Sequence, residues 1–575
     1  MKSFAELKRN LKKDFTKMVG LKVALLGDTT TQFLNQALRG TGFDYGFDLN
    51  FFEADFNQVE NQVFDSSSDL YKFQPDIIIL FLSSHKLLQK YNQFESGRDQ
   101  LAERELALTS SLYSTVKEKL QAKVILYNYN EIDDVVFGNY ANKQSHSFLF
   151  QLRKLNYELM LLASALADLH ICDLSSIQNR FGKNNCFHSS LYVNAEMVVS
   201  IDVIPEIAAK TLDLISALHG SIKKCVVFDL DNTIWGGVIG DDGIENIELG
   251  NLGIGKAFTE FQYWLKKLKN RGILLAVCSK NTESIAKEAF ENHPDMVLHL
   301  EDIAFFIANW ENKADNIREI QSFLNIGFDS MVFLDDSPFE RNLVKQNLPL
   351  ITVPEMPADP ADYLEYLYSL NLFETSSYSA EDAKRTQKYQ THAQRLTSHK
   401  LFTNQDEYLQ SLNMCSIVEP FNRFNLPRVA QLTQRSNQFN LRTVRYSEAQ
   451  IEGIANSDKS YSFSFTLEDS FGDNGLVCVV ILEEEDENYL FIDTWLMSCR
   501  ILKRGMEQFV LNTITAFARE KKFNFLIGEY LPTAKNGLVK DHYSNLGFDH
   551  VNGKWSLNLK EYKSSKSYIA KKDKR

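Results

Sequence analysis

The stretch Lys223-Lys-Cys-Val-Val-Phe-Asp-Leu-Asp-Asn-Thr-Ile-Trp235 carries two carboxylates, Asp229 and Asp231, followed by Thr233. A fixed carboxylate can act as a nucleophile. A second acid beside it can give a proton to a leaving oxygen and later take one from water. Both acids must then reach one point. The apolar run from Cys225 to Phe228 that precedes them is the pattern of a buried strand. Side chains i and i+2 of a strand share a face, so Asp229 and Asp231 can meet one site as the strand opens into a loop. The plain alternative is a strand that ends in an acidic turn.

Two more apolar strands are expected downstream. Ile273 to Cys278 ends at Ser279-Lys280-Asn281, and Met331 to Leu334 ends at Asp335-Asp336-Ser337-Pro338. Between them, Asn309-Trp310-Glu311-Asn312-Lys313 leads into a helix running through Leu324. An Asp-x-Asp-x-Thr pattern after an apolar strand resembles motif I of the haloacid dehalogenase (HAD) superfamily. The resemblance implies Asp229 as a nucleophile that forms an aspartyl-phosphate and Asp231 as general acid/base. Ser279 fits motif II, a hydroxyl that hydrogen-bonds a phosphate oxygen. Lys313 fits motif III, a cation that holds the phosphate and steadies the nucleophile. Asp335 and Asp336 fit motif IV, completing a Mg2+ shell with Asp229 and the backbone carbonyl of Asp231. Strand ends and a helix start are where an open α/β sheet places its ligand crevice. The interval from Trp235 to Ile273 holds a Gly/Asp-rich flap and a helix over 255–270, with no room for a cap domain. The site is therefore expected to be open, which suits a phosphate carried on, or handed to, something large.

A chain of 575 residues predicts about three or four domains. Its formal net charge of −13 argues against general nucleic-acid binding. Seven cysteines with no Cys-x-x-Cys pair read as reduced thiols. With no signal-peptide core and no apolar run of about 20 residues, the expectation is a cytoplasmic protein without stable membrane insertion.

Residues 1–219 alternate apolar strands (Leu21–Leu26, Asp76–Leu82, Lys123–Asn128, 169–173) with helices (3–18, 31–38, 98–120, 147–168, 194–218). That predicts a doubly wound parallel sheet. Gly27-Asp28-Thr29 resembles the first block of SGNH-type esterases, with Thr in place of the nucleophilic Ser. His188 is the nearest histidine, and no Asp-x-x-His precedes it, so a scaffolding or docking role is expected. Residues 220–362 form the HAD-like Rossmannoid core, 363–412 a polar helical connector, 413–560 a mixed α/β domain, and 561–575 a basic tail. That tail is either solvated and disordered or a dock for an acidic partner.

In 413–560, Tyr543-Ser-Asn-Leu-Gly-Phe548 resembles the end of GNAT acyltransferases. Their phosphate-binding loop corresponds to Arg500-Ile-Leu-Lys503-Arg504-Gly505, where Lys503 replaces the first glycine. The implied cofactor is coenzyme A or the phosphopantetheine of a carrier protein. Cys499, beside Arg500, is the candidate thiol, and His542 and Glu529 are weaker candidates for a base.

The combination resembles the FkbH-type proteins, a HAD subfamily, over about 220–550, and the N-terminal domain resembles that of the longer members. The resemblance rests on 228–240 and 333–341, on 431–441 and 471–476, and on Met497-Ser-Cys-Arg500 and 528–536. It implies a glyceryl unit taken from 1,3-bisphosphoglycerate, dephosphorylated and loaded as a thioester on an acyl carrier protein. Two other readings stand beside it: a phosphatase for a cell-surface polysaccharide precursor, and a non-catalytic assembly protein.

Overall fold

The computed structural model describes residues 2–55, 57–399, 404–498, 501–533 and 535–572. The chain divides into two compact units, Met1–Ala217 and Leu218–Arg575.

The first unit is built on five parallel strands: β1 (Val19–Gly27), β2 (Phe47–Glu53), β3 (Ile77–Phe81), β4 (Lys123–Tyr127) and β5 (Leu169–Cys172). Their order is β2-β1-β3-β4-β5, the doubly wound arrangement whose switch point lies between β1 and β3. All five side chains of β3 are buried, as expected of a strand covered on both faces. Two expected helices are shorter than read. The first runs only Phe4–Asn10, capped by Ser3 and Glu6. The one expected over 194–218 runs Ile204–Leu218, after a separate helix Ser189–Ala195. Apolar spacing alone did not reveal these breaks, because the flanking turns also carry apolar side chains, Leu11 and Phe15 half-buried and Met197 and Val198 buried.

The second unit holds two sheets. In the first, β6 (Cys225–Phe228), β7 (Leu274–Ser279), β8 (Ile303–Ala308) and β9 (Met331–Leu334) lie parallel in the order β8-β7-β6-β9. The three strands expected to carry chemistry are thus neighbours. β6, β7 and β9 bury every side chain. The flap after Trp235 is a short helix, Ile239–Asp242, with an antiparallel bridge between Gly236 and Glu248, and the helix Gly255–Asn270 follows.

The second sheet comprises β10 (Cys415–Ser416), β11 (Val418–Glu419), β12 (Ser460–Asp469), β13 (Gly472–Glu484), β14 (Tyr489–Met497), β15 (Phe525–Gly528), β16 (Asp549–Val551), β17 (Lys554–Asn558) and β18 (Ala570–Lys571). Its main path is β16-β17-β15-β14-β13-β12-β10-β18, and β11 also pairs with β12. β14 and β15 pair in parallel only from Tyr489 to Ile492 and then part. The chain fills that gap itself: Met497 N donates to Phe439 O at 3.1 Å, Leu441 N to Trp495 O at 3.3 Å, and Leu531 N to Leu441 O at 2.9 Å.

One expectation is corrected here. The described part of the basic tail is ordered against the sheet, since Ala570–Lys571 pairs with Cys415–Ser416 and Ile569 is buried. Lys566 and Lys572 pair with Asp406 and Glu468, each at 2.8 Å. The connector also has tertiary contacts: Asp382 is buried and lies 2.9 Å from Arg435. Among the described residues no helix is long and apolar enough to cross a membrane.

Candidate active site

At the carboxyl ends of β6 and β9 three acids converge. Single carboxylate oxygens of Asp229, Asp335 and Asp336 lie within 4.8 Å of one another. The backbone sets this proximity, because β6 and β9 pair in register and Asp229 N donates to Leu334 O at 3.0 Å. Lys313, first residue of the helix Lys313–Leu324, is 2% exposed and reaches both strand ends. Its Nζ lies 2.8 Å from Asp229 Oδ2 and 2.7 Å from Asp335 Oδ2. Burial alone would lower the pKa of this ammonium; Asp229 and Asp335 outweigh that and raise it. Burial, reinforced by the charge of Asp229, pushes Asp335 up to about 7 and raises Asp336.

Further hydrogen bonds fix the acids. Asp335 Oδ1 accepts Ser337 N at 2.9 Å, and Arg341 donates to the Asp335 and Asp336 carbonyls at 2.8 and 2.6 Å. Thr233 Oγ1 accepts Asp336 N at 3.2 Å. Asp231 Oδ1 accepts Trp235 Nε1 at 2.8 Å and Ile239 N at 3.1 Å, while its Oδ2 accepts Asn281 Nδ2 at 3.1 Å. Burial raises the Asp231 pKa. Ser279, buried at the end of β7, occupies the neighbouring strand end.

The donor set suits a hard divalent cation. Asp229 Oδ1 is buried without a hydrogen-bond partner, and a single buried ammonium faces the clustered acids. Buried anionic oxygens without donors are costly, and Mg2+ takes carboxylate oxygens. The Asp231 carboxylate, engaged by three donors, leaves its backbone carbonyl as the group to offer a metal. Sequence reading passed over Asn281, which steers Asp231, and Arg341, which locks the loop after β9. Both lie inside stretches it had quoted, but a side chain holding another side chain leaves no spacing signal.

The third-domain residues are less convergent. Cys499 and Arg500 lie outside the described residues. Arg504 is engaged by a carboxylate of the chain itself: it is buried, with Nη1 3.1 Å from Asp469 Oδ2, an acid also bound by Arg395 at 2.9 Å. Lys503 and Gly505, both at positive φ, line a cleft of about 530 Å3 beside Glu507 and His542. Desolvation pushes the His542 imidazole down to about 3, and Glu529 is engaged by Arg442 at 2.9 Å. In the first unit, Thr29 is fully buried and its Oγ1 has no hydrogen-bond partner, so no histidine activates it. His188 is exposed at the start of Ser189–Ala195.

The family model described as FkbH, N-terminal domain, matches residues 22–216. The solved N-terminal part of protein BF1531 from Bacteroides fragilis, containing a phosphatase domain and complexed with Mg, is 56% identical. That match covers 66% of this chain and 100% of that one, with a TM-score of 0.63. Ribosomal-protein-S18-alanine N-acetyltransferase from Escherichia coli is 14% identical over 25% of this chain and 94% of its own, with a TM-score of 0.20. An N-acetyltransferase from Staphylococcus aureus Mu50 is 16% identical over 25% and 99%, with a TM-score of 0.21. No curated protein matches. With the acids and lysine assembled at the strand ends and the solved N-terminal part of the Bacteroides phosphatase-domain protein matched in full, this chain belongs to the FkbH-type family of the HAD superfamily and is an enzyme of its phosphatase class.

Proposed function

We propose that the chain is a Mg2+-dependent phosphatase acting on a phosphorylated small molecule at Asp229. The carrying observation is the division of labour on that carboxylate: Lys313 occupies Oδ2, whereas Oδ1 is buried without a partner. One Asp229 oxygen forms a bond to phosphorus while the bond to the leaving oxygen breaks, and Asp231 protonates that oxygen. Asp231 then takes a proton from water as the water oxygen attacks phosphorus, which frees inorganic phosphate and restores Asp229. Lys313 and Ser279 hold phosphate oxygens throughout. A Mg2+ held by Asp229, Asp335, Asp336 and the Asp231 carbonyl would lower the repulsion between nucleophile and phosphate. The test is Mg2+-dependent phosphate release, lost in Asp229→Asn. Full activity in that variant or without Mg2+ overturns the reading.

The wider reading couples this site to acyl transfer in residues 413–560, taken as GNAT-like, beyond an SGNH-like domain in 1–219. A thiolate attacks the acyl carbon of an acyl phosphate and expels phosphate, and the phosphate ester that remains is hydrolysed at Asp229. With 1,3-bisphosphoglycerate as donor, the product is a glyceryl thioester, passed to an acyl carrier protein in the cytoplasm. Cys499 is the thiol this reading nominates. The narrower reading is a phosphatase for a surface-polysaccharide precursor with a third domain that only binds. Burial of Arg504 and occupation of the β14–β15 gap by 439–441 favour it. Mass spectrometry after incubation with 1,3-bisphosphoglycerate and a carrier protein separates the two. A glyceryl adduct supports the wider reading; free phosphate with no adduct supports the narrower.

A further inference from the structure

The strands that end in the catalytic acids begin at a second cleft. Lys224 precedes β6 and Ser330 precedes β9, and both line a cavity of about 490 Å3. Lys224 and Asp229 bracket β6, so at about 3.3 Å per residue the two ends lie roughly 16 Å apart. One small molecule cannot fill both sites. The far wall comes from the helix Leu426–Arg435, the end of β14 and Lys535. Apart from Arg428, the cleft residues of that wall belong to the blocks 431–441, 497–500 and 528–536, which the phosphatase chemistry leaves unused.

The charges are unbalanced. Lys224, Arg385, Arg428, Arg435 and Lys535 face the cleft with three carboxylates, Asp329, Glu381 and Asp382. Five against three leaves an excess of two positive charges in a chain whose formal net charge is −13. Arg435 lies 2.9 Å from Asp382, Arg428 lies 3.1 Å from Glu381, and Lys535 pairs with Asp329. Asp382 also accepts from Gln431 Nε2 at 2.8 Å and Ser379 N at 3.0 Å, so its oxygens are already taken. Arg385 donates to the Gly272 carbonyl at 3.4 Å and has no carboxylate partner among the described residues. Burial lowers the pKa of Arg435, and the Arg385 and Arg428 charges lower it further against the pull of Asp382. Crowded, partly desolvated cations are costly unless an anion completes them.

We propose that this cleft is a second ligand site, for a phosphorylated small molecule whose phosphate dianion rests on Arg385 and Arg428 with Arg435 behind them. The guanidinium fork matches phosphate geometry. The cavity volume falls within the few hundred to about 1,000 Å3 usual for small-ligand sites. The site does not depend on acyl transfer by the third domain.

Crystals of the full chain grown with Mg2+ and soaked in tungstate, a tetrahedral dianion, test the placement. The expected result is anomalous density between Arg385 and Arg428. Density at Asp229 and Lys313 with none in the cleft overturns the proposal. In solution, inorganic phosphate is titrated calorimetrically into the full chain and into Arg385→Gln and Arg428→Gln. Each variant should weaken one class of phosphate site at least ~10-fold, the scale of a lost charge-assisted hydrogen bond. Mg2+-dependent phosphate release from an aryl phosphate should stay unchanged. Equal phosphate affinity in the wild type and both variants overturns the assignment.

Discussion

Asp231→Asn separates the two halves of the proposed reaction. Both Asp231 oxygens are acceptors: Oδ1 takes Trp235 and Ile239, and Oδ2 takes Asn281. An amide supplies one acceptor, so its oxygen stays with the Trp235 and Ile239 donors and its NH2 confronts the Asn281 NH2. Asn281 cannot turn over freely, because its Oδ1 accepts Thr282 N at 2.8 Å. One unpaired donor contact should cost about 1–3 kcal/mol of stability, which leaves the protein folded. The chemical loss is larger, about 10²–10⁴-fold in turnover for a missing proton donor and acceptor. With p-nitrophenyl phosphate the leaving group departs without a proton, so attack by Asp229 survives and hydrolysis of the aspartyl-phosphate stalls. Rapid-quench measurement should show a burst of nitrophenolate approaching one equivalent of enzyme, then slow turnover. Adding Asp229→Asn should erase the burst. Wild-type turnover in Asp231→Asn, or a burst that survives loss of Asp229, would refute the assigned roles.

Lys313→Met should leave Asp229 and Asp335 facing each other without their shared cation. A fall in stability of about 3–5 kcal/mol is expected in denaturant titrations, with phosphate release down at least ~10²-fold. A variant as stable and active as wild type would contradict the ion-pair geometry. His542 titrates near 3 when folded and near 6.5 when unfolded, so the unfolded chain gains the proton first as pH falls. Stability is therefore full above pH 6.5 and declines towards 3, by about 1.4 kcal/mol per unit once below 6.5. His542→Phe should flatten that slope in denaturation curves at pH 6.5 and 5.5. Truncation after Glu561 removes β18 and the burial of Ile569, a loss of at least about 2 kcal/mol. An unchanged melting temperature would restore the reading of a free tail.

Apolar runs ending in Asp229, Ser279 and Asp335 made the strands and their chemistry legible, because a strand buried on both faces must be apolar and its first polar residue marks its exit. The parallel order of β6, β7 and β9, which decides that these exits meet, came from pairing across the sheet. Spacing within one segment carries no information about such pairing. The same limit hid the Asn281–Asp231 contact, the Arg341 lock, and the capture of Arg504 by Asp469. A charged residue's linear neighbours do not say whether a distant carboxylate will claim it. The tail misled for a related reason. Its lysines look solvated in sequence, and only the edge of β10, with Asp406 and Glu468 nearby, orders the described part of it by pairing Ala570–Lys571 and engaging Lys566 and Lys572. Sequence alone thus determined the reactive groups and the strand ends that present them. Folding decided which groups meet and which are already spent on partners, because those contacts join residues far apart along the chain.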